Sequence, residues 1–188
     1  MPTDRDEREH PDALSDAWWW WAWTPDRTTG LFIGLEVRGP RFDYRAGLVR
    51  AGQPVVYVEE LGGTGRRAGL ELKPPEMWAD HVCDVPLRQW SLGNEAHGVL
   101  LDHPAEMLTR PYGTPVPVTF DVEWHATAAA VEVPHGYEQV GEVDAEVQLS
   151  EGIVRLVGTA HRLHVWGTAP TAHDVLARAG FVPPTVGA

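Results

Sequence analysis

Period-two alternation runs through most of this chain and restricts it to β structure. In Val116, Val118, Phe120, Val122 and Trp124 every second residue is apolar, with Thr119, Asp121, Glu123 and His125 among the residues between and after them. Successive side chains of a strand point to opposite faces, so the pattern predicts a strand with one buried face. Leu31, Ile33, Leu35 and Val37 repeat it against Gly34, Glu36 and Arg38, and so do Phe42, Tyr44, Ala46 and Leu48. Gly39-Pro40, Ala51-Gly52 and Gly62-Gly63-Thr64-Gly65 break the runs with turn chemistry, which predicts successive hairpins. Further strands are expected near residues 54–61, 69–73, 77–84, 89–101, 116–125, 136–148 and 152–166.

The run Trp18-Trp19-Trp20-Trp21-Ala22-Trp23 is too short and too aromatic for a helix, and Pro25-Asp26 ends it. It predicts a strand buried on both faces. By parity Trp18 and Trp20 share one face with Ala22, while Trp19, Trp21 and Trp23 share the other. Only one set can line an interior; the other must pack outside, under a C-terminal helix. That helix is expected within residues 171–179, where Thr171 supplies an N-cap and Gly180 a stop. So many short strands predict an all-β fold, a lipocalin-like (calycin) antiparallel β-barrel with a short C-terminal helix. An interior of about eight strands is wide enough for side chains or for one small ligand. Residues 1–15 are charged, contain Pro2 and Pro11 and have no apolar period. They read as a flexible tail or lid, leaving 16–188 as a single barrel domain.

Charge and composition exclude several functions. The 27 acidic residues outnumber 15 basic ones, for a formal charge of −12, and such a surface repels nucleic-acid phosphates. The single cysteine, Cys83, allows no internal disulfide. No apolar run is long enough to span a membrane, and the charged N-terminus has no export signal, so a cytoplasmic protein is expected. A homodimer is compatible with the sequence.

Metal and cofactor motifs are missing from the pattern. His161 and His164 lie three apart, which places them on opposite faces of a strand and prevents joint chelation. No cysteine or histidine cluster has zinc spacing, and neither a nucleophile elbow, a P-loop nor a dinucleotide fingerprint occurs, so no metal and no cofactor are expected. Attention falls on polar residues set among apolar strands, where burial shifts a carboxyl or imidazole toward proton-transfer duty. Asp80 and His81 beside Trp78, Glu95 and His97, and Glu138 and Gln139 after Tyr137 are such places.

The segment His135-Gly136-Tyr137-Glu138-Gln139-Val140-Gly141-Glu142-Val143, followed by Gly158-Thr159-Ala160-His161-Arg162-Leu163-His164-Val165-Trp166-Gly167, resembles the hydroxyneurosporene synthase (carotenoid 1,2-hydratase) and AttH-like superfamily. Met77 to Cys83, Pro86, Leu87, Trp90 and Phe120 to Trp124 extend the likeness. Leu163 and Val165 stand where that family usually has Asp and Ser. The resemblance is to a shortened, single-barrel member. It implies a site among Glu138, Gln139, His161, Arg162, His164 and Trp166. Cofactor-free (4+2) spirocyclases with lipocalin-like cavities offer an architectural parallel. The function so implied is a cofactor-independent cyclase or hydratase acting on an apolar polyketide- or terpenoid-like substrate inside the barrel. Glu138, His164 and Gln139 would be catalytic, while Trp20, Trp78, Asp80, His81, Trp124, Tyr137, His161 and Trp166 would contact substrate. The alternative is a carrier that holds an apolar small molecule without chemistry.

Overall fold

The computed structural model describes residues 1–67 and 69–184. Among the described residues eleven strands appear in chain order: β1 (Asp16–Trp23), β2 (Thr29–Arg38), β3 (Arg41–Arg50), β4 (Val55–Gly63), β5 (Leu70–Leu72), β6 (Met77–Val85), β7 (Gln89–Leu101), β8 (Thr114–Ala126), β9 (Val131–Val133), β10 (Gly136–Leu149) and β11 (Gly152–Trp166). One helix, α1 (Ala172–Arg178), follows. The period-two runs all became strands; β9, three residues paired to the start of β10, alternates as Val131-Glu132-Val133 over too short a run to stand out.

Pairing runs β4-β3-β2-β1-β11-β10-β8-β7 and closes where Val55 to Tyr57 of β4 meet Val99 to Leu101 of β7. All these pairings are antiparallel, so the chain is an all-β barrel of eight ring strands with a short C-terminal helix. β7 spans 13 residues and serves two partners: its C-terminal end closes the ring, while Gln89 to Ala96 pair with β6, which in turn carries β5. Closure removes the exposed edges that a flat sheet of these apolar strands would offer.

β1 is buried on both faces, as its sequence requires. Trp18, Trp20 and Ala22 point inward and join the barrel core with Ile33, Leu35, Tyr44, Trp90, Phe120 and Trp124. Trp19 and Trp21 point outward into a second apolar layer formed with Phe32, Tyr57, Leu176 and Phe181. Trp23 stacks on Phe181 with ring centroids 4.6 Å apart, and its Nε1 donates to the Ala179 carbonyl at 2.8 Å. Gly34 exists for this layer: a Cβ there would lie 2.4 Å from the Trp19 ring. α1 is capped as predicted, with the Thr171 hydroxyl accepting from the Asp174 N–H at 3.2 Å and Gly180 at φ +81° ending the helix.

The inward side chains are closely covered. Trp18, Trp20, Trp90, Trp124, Tyr44, Phe42 and Phe120 are each at most 2% exposed, so in this conformation they fill the space in which the sequence suggested a ligand. An eight-stranded ring permits that outcome because its bore matches the reach of large aromatics from facing strands. Among the described residues no helix is long and apolar enough to cross a membrane.

Candidate active site

Polar groups collect at one end of the barrel, where β1, β10 and β11 run side by side. Register sets Trp18 and Tyr137 on either side of His164, and Trp20 and Gln139 on either side of Arg162. Parity turns Asp16, Trp18, Tyr137, Gln139, Arg162 and His164 inward together. The segment before β1 then crosses this end. Its residues Asp4–Glu7 form a 3-10 turn, and Glu7, only 5% exposed, reaches into the cluster.

Arg162 is fully buried, its guanidinium 5.0–5.3 Å from the ring centroids of Tyr137, Trp90 and Trp124. Its Nη1 and Nη2 donate to the two Glu7 carboxylate oxygens at 3.1 and 2.5 Å. The Tyr137 hydroxyl donates to Glu7 at 2.7 Å and also accepts from Arg162. A fourth donor is the Leu87 N–H, 2.5 Å from Glu7, at the turn between β6 and β7. Leu87 sits at φ +58°, a left-handed conformation that a branched side chain adopts at a cost of about 1–3 kcal/mol. Gln139 steadies this turn, its Nε2 donating to the Leu87 and Ala128 carbonyls at 2.9 Å each. Burial raises the Tyr137 phenol well above its ordinary value, so it stays protonated as a donor.

Beside this cluster lies a histidine–carboxylate–histidine chain. Asp16 Oδ1 is 3.0 Å from His164 Nε2 and 2.9 Å from His10 Nδ1, and its Oδ2 accepts from the His10 N–H at 2.7 Å. Burial pushes the Asp16 carboxyl up, but hydrogen bonds from His164 and His10 outweigh it and hold it below the usual range. Burial lowers His164, with Asp16 opposing. His164 stacks on Trp18 at 4.4 Å, and its Nδ1 is buried with no partner. An imidazole oriented by a carboxylate through one nitrogen, with the other free, has the form of a general base. His10 stacks on Trp166 at 3.9 Å. Ligand atoms of His10, Asp16 and His164 all lie within 4.8 Å of one another, a set of chemistry suited to one divalent ion, with two imidazoles and a carboxylate. His10 lies in the segment read as a tail, which is why histidine spacing did not reveal this group.

The predicted site residues divide by face. Trp20, His81, Trp124, Tyr137, Gln139 and His164 are buried, and Trp166 sits at the rim against His10. His81 lies deeper in the barrel, near Trp20 and Tyr44, with both ring nitrogens unpartnered. Glu138 corrects the expectation: opposite Leu163 in register, it faces outward and pairs with Arg178 of α1. By parity it stands on the face opposite His164, and it lines one cavity with Gln139, His161 and Arg162. His161 also faces out, stacked on Trp21. Trp78 and Asp80 lie on the outer face of β6, where Trp78 Nε1 approaches Glu71 at 3.4 Å. Glu7 and Asp16 were not singled out. Asp16 was accessible by parity, standing two before Trp18; Glu7 has no signal, being one acid among several in a charged segment.

The fold and this cluster define a closed antiparallel barrel with an ion pair and a histidine–aspartate pair buried at one end. No family model and no curated protein matches the sequence. A solved structure, the crystal structure of CghA, is similar with a TM-score of 0.44 and 10% identity, over 82% of this chain and 46% of that chain. The chain therefore spans about half the length of that relative. The likeness to hydroxyneurosporene synthase rests on sequence motifs, and no family match accompanies it.

Proposed function

We propose that the barrel is a cofactor-independent enzyme of small-molecule biosynthesis, a cyclase or hydratase acting on an apolar polyketide- or terpenoid-like substrate at the Arg162–His164 end. The observation that carries this reading is the pairing of a buried cation with a carboxylate-oriented imidazole beneath a segment outside the barrel. Arg162 and Tyr137 would stabilise negative charge developing on a substrate oxygen, while His164, held by Asp16, would take or return a proton. Trp18, Trp90 and Trp124 provide apolar walls for the remainder of the molecule. Residues 1–15 act as a lid, since a substrate reaches these groups only when Glu7 and His10 withdraw.

The test compares the full chain with a variant lacking residues 1–15, using tryptophan fluorescence with a panel of polyenes and a product assay on ligands that bind. His164→Ala is expected to abolish turnover with affinity within a few fold. Ligand binding without turnover in the wild type would mark a carrier instead, and deletion of residues 1–15 without change in affinity or turnover would refute the lid.

A further inference from the structure

Glu7 sits in its site as a ligand would. Four donors converge on its two oxygens: both terminal nitrogens of Arg162, the Tyr137 hydroxyl and the Leu87 N–H. The Arg162 pair is bidentate, the geometry by which guanidinium recognises a carboxylate. None of the donors belongs to Glu7's own segment. Three come from strands β10 and β11, and the fourth from the left-handed turn at Leu87, which Gln139 holds in place.

Among the described residues, Glu7 is the carboxylate paired with Arg162. The rings of Trp90, Trp124 and Tyr137 lie around the guanidinium, and the nearby Asp16 carboxylate is engaged by His164 and His10. A guanidinium buried among aromatics is costly without a countercharge. Here the countercharge comes from a segment that is no part of the ring. The barrel thus carries a complete carboxylate receptor whose occupant is supplied by its own N-terminal segment.

From this we infer that Arg162, Tyr137 and the Leu87 N–H bind the carboxylate of a carboxylic acid with an apolar or conjugated tail, and that Glu7 is the internal stand-in which the ligand displaces. The inference rests on the reading of this barrel end as the substrate site. The aromatic walls set the class: indole and phenol faces flank the carboxylate and favour a flat or apolar group next to it.

Glu7→Ala empties the receptor and leaves Arg162 in place. Thermal unfolding of full-length wild type and Glu7→Ala is followed in sodium acetate, propionate and sorbate, against sodium chloride at matched ionic strength. Glu7→Ala should unfold at lower temperature in chloride and recover with carboxylate concentration, while the wild type, in which Glu7 competes, responds less at each concentration. Sorbate should bind Glu7→Ala about tenfold or more tighter than the wild type, and more tightly than sorbyl alcohol, since a charge-assisted pair is at stake. Glu7→Gln, similar in shape but neutral, repeats the comparison if the alanine variant fails to fold. A variant no more responsive to carboxylates than to chloride overturns the proposal, as does equal binding of sorbate and its alcohol. Carboxylate rescue without binding of any longer apolar acid would support the receptor and sink the apolar-substrate reading instead.

Discussion

His81 should make the barrel acid-sensitive in a way that one substitution removes. The imidazole is buried in the core between Trp20 and Tyr44, with ring centroids 5.4 and 5.7 Å away, and neither nitrogen has a hydrogen-bond partner. Burial lowers its pKa from 6.5 to about 3. The folded state therefore refuses a proton that the unfolded chain accepts. Stability is fully present above pH 6.5, falls as pH drops below that value, and levels off once pH passes the folded value of about 3. Each pH unit within the window costs about 1.4 kcal/mol, so acidification to about pH 4.5 removes about 3 kcal/mol through this residue.

His81→Leu keeps a side chain of similar bulk and removes the titrating group. Urea unfolding, followed by tryptophan fluorescence at about pH 7 and about pH 4.5, isolates the effect as a double difference. Contributions from His164 and Asp16 occur in both proteins and cancel. The wild type should lose about 3 kcal/mol more than the variant on acidification. At neutral pH the variant should be as stable or more so, because two unpaired buried nitrogens have gone. Parallel losses in the two proteins, equal to within about 0.5 kcal/mol, would refute the reasoning.

The two faces of β1 and β10 give two further tests. Gly34→Ala puts a Cβ 2.4 Å from the Trp19 ring, in a layer where Trp19 is itself 4% exposed, and should destabilise by about 1–3 kcal/mol in the same urea assay. Glu138→Gln breaks a partly exposed ion pair with Arg178. It should cost less than about 1 kcal/mol and leave binding at the Arg162 end unchanged in a fluorescence titration, against what its motif position implies. Asp16→Asn removes the charge that helps raise His164 against its burial and leaves its Nε2 with a neutral acceptor at most. Its imidazole should titrate still lower, read by NMR.

Strands were legible because one physical rule, alternation across a pleat, governs nearly all of them. The Trp18 to Trp23 run could be divided into inner and outer sets before its neighbours were known, and α1 with Phe181 covers the outer set. The same rule, applied to Tyr137, Glu138 and Gln139, separates Glu138 from its neighbours, yet the family motif drew all of them into one site. Where parity and motif disagreed, parity described the geometry. Glu7 and His10 lay beyond either, because a segment without period acquires its place only through the partners it finds. β9 is too short for its Val131-Glu132-Val133 alternation to mark it, and it is held by β10.

Stability alone does not account for Arg162. Replacing a paired, desolvated ion pair by well-packed apolar residues of similar size is often neutral or stabilises proteins by about 1–4 kcal/mol. Nor does the ring need it for closure, which the backbone pairing of β4 with β7 completes at a distance along the sheet. What the guanidinium provides that a leucine cannot is a fixed charge in a dry place, held against three aromatic faces before any partner arrives. Such preorganised charge is worth most when the negative group facing it changes during a reaction or is exchanged for another. Glu7 meets the second condition by its position, since the segment that carries it can leave without unpairing a single strand of the ring.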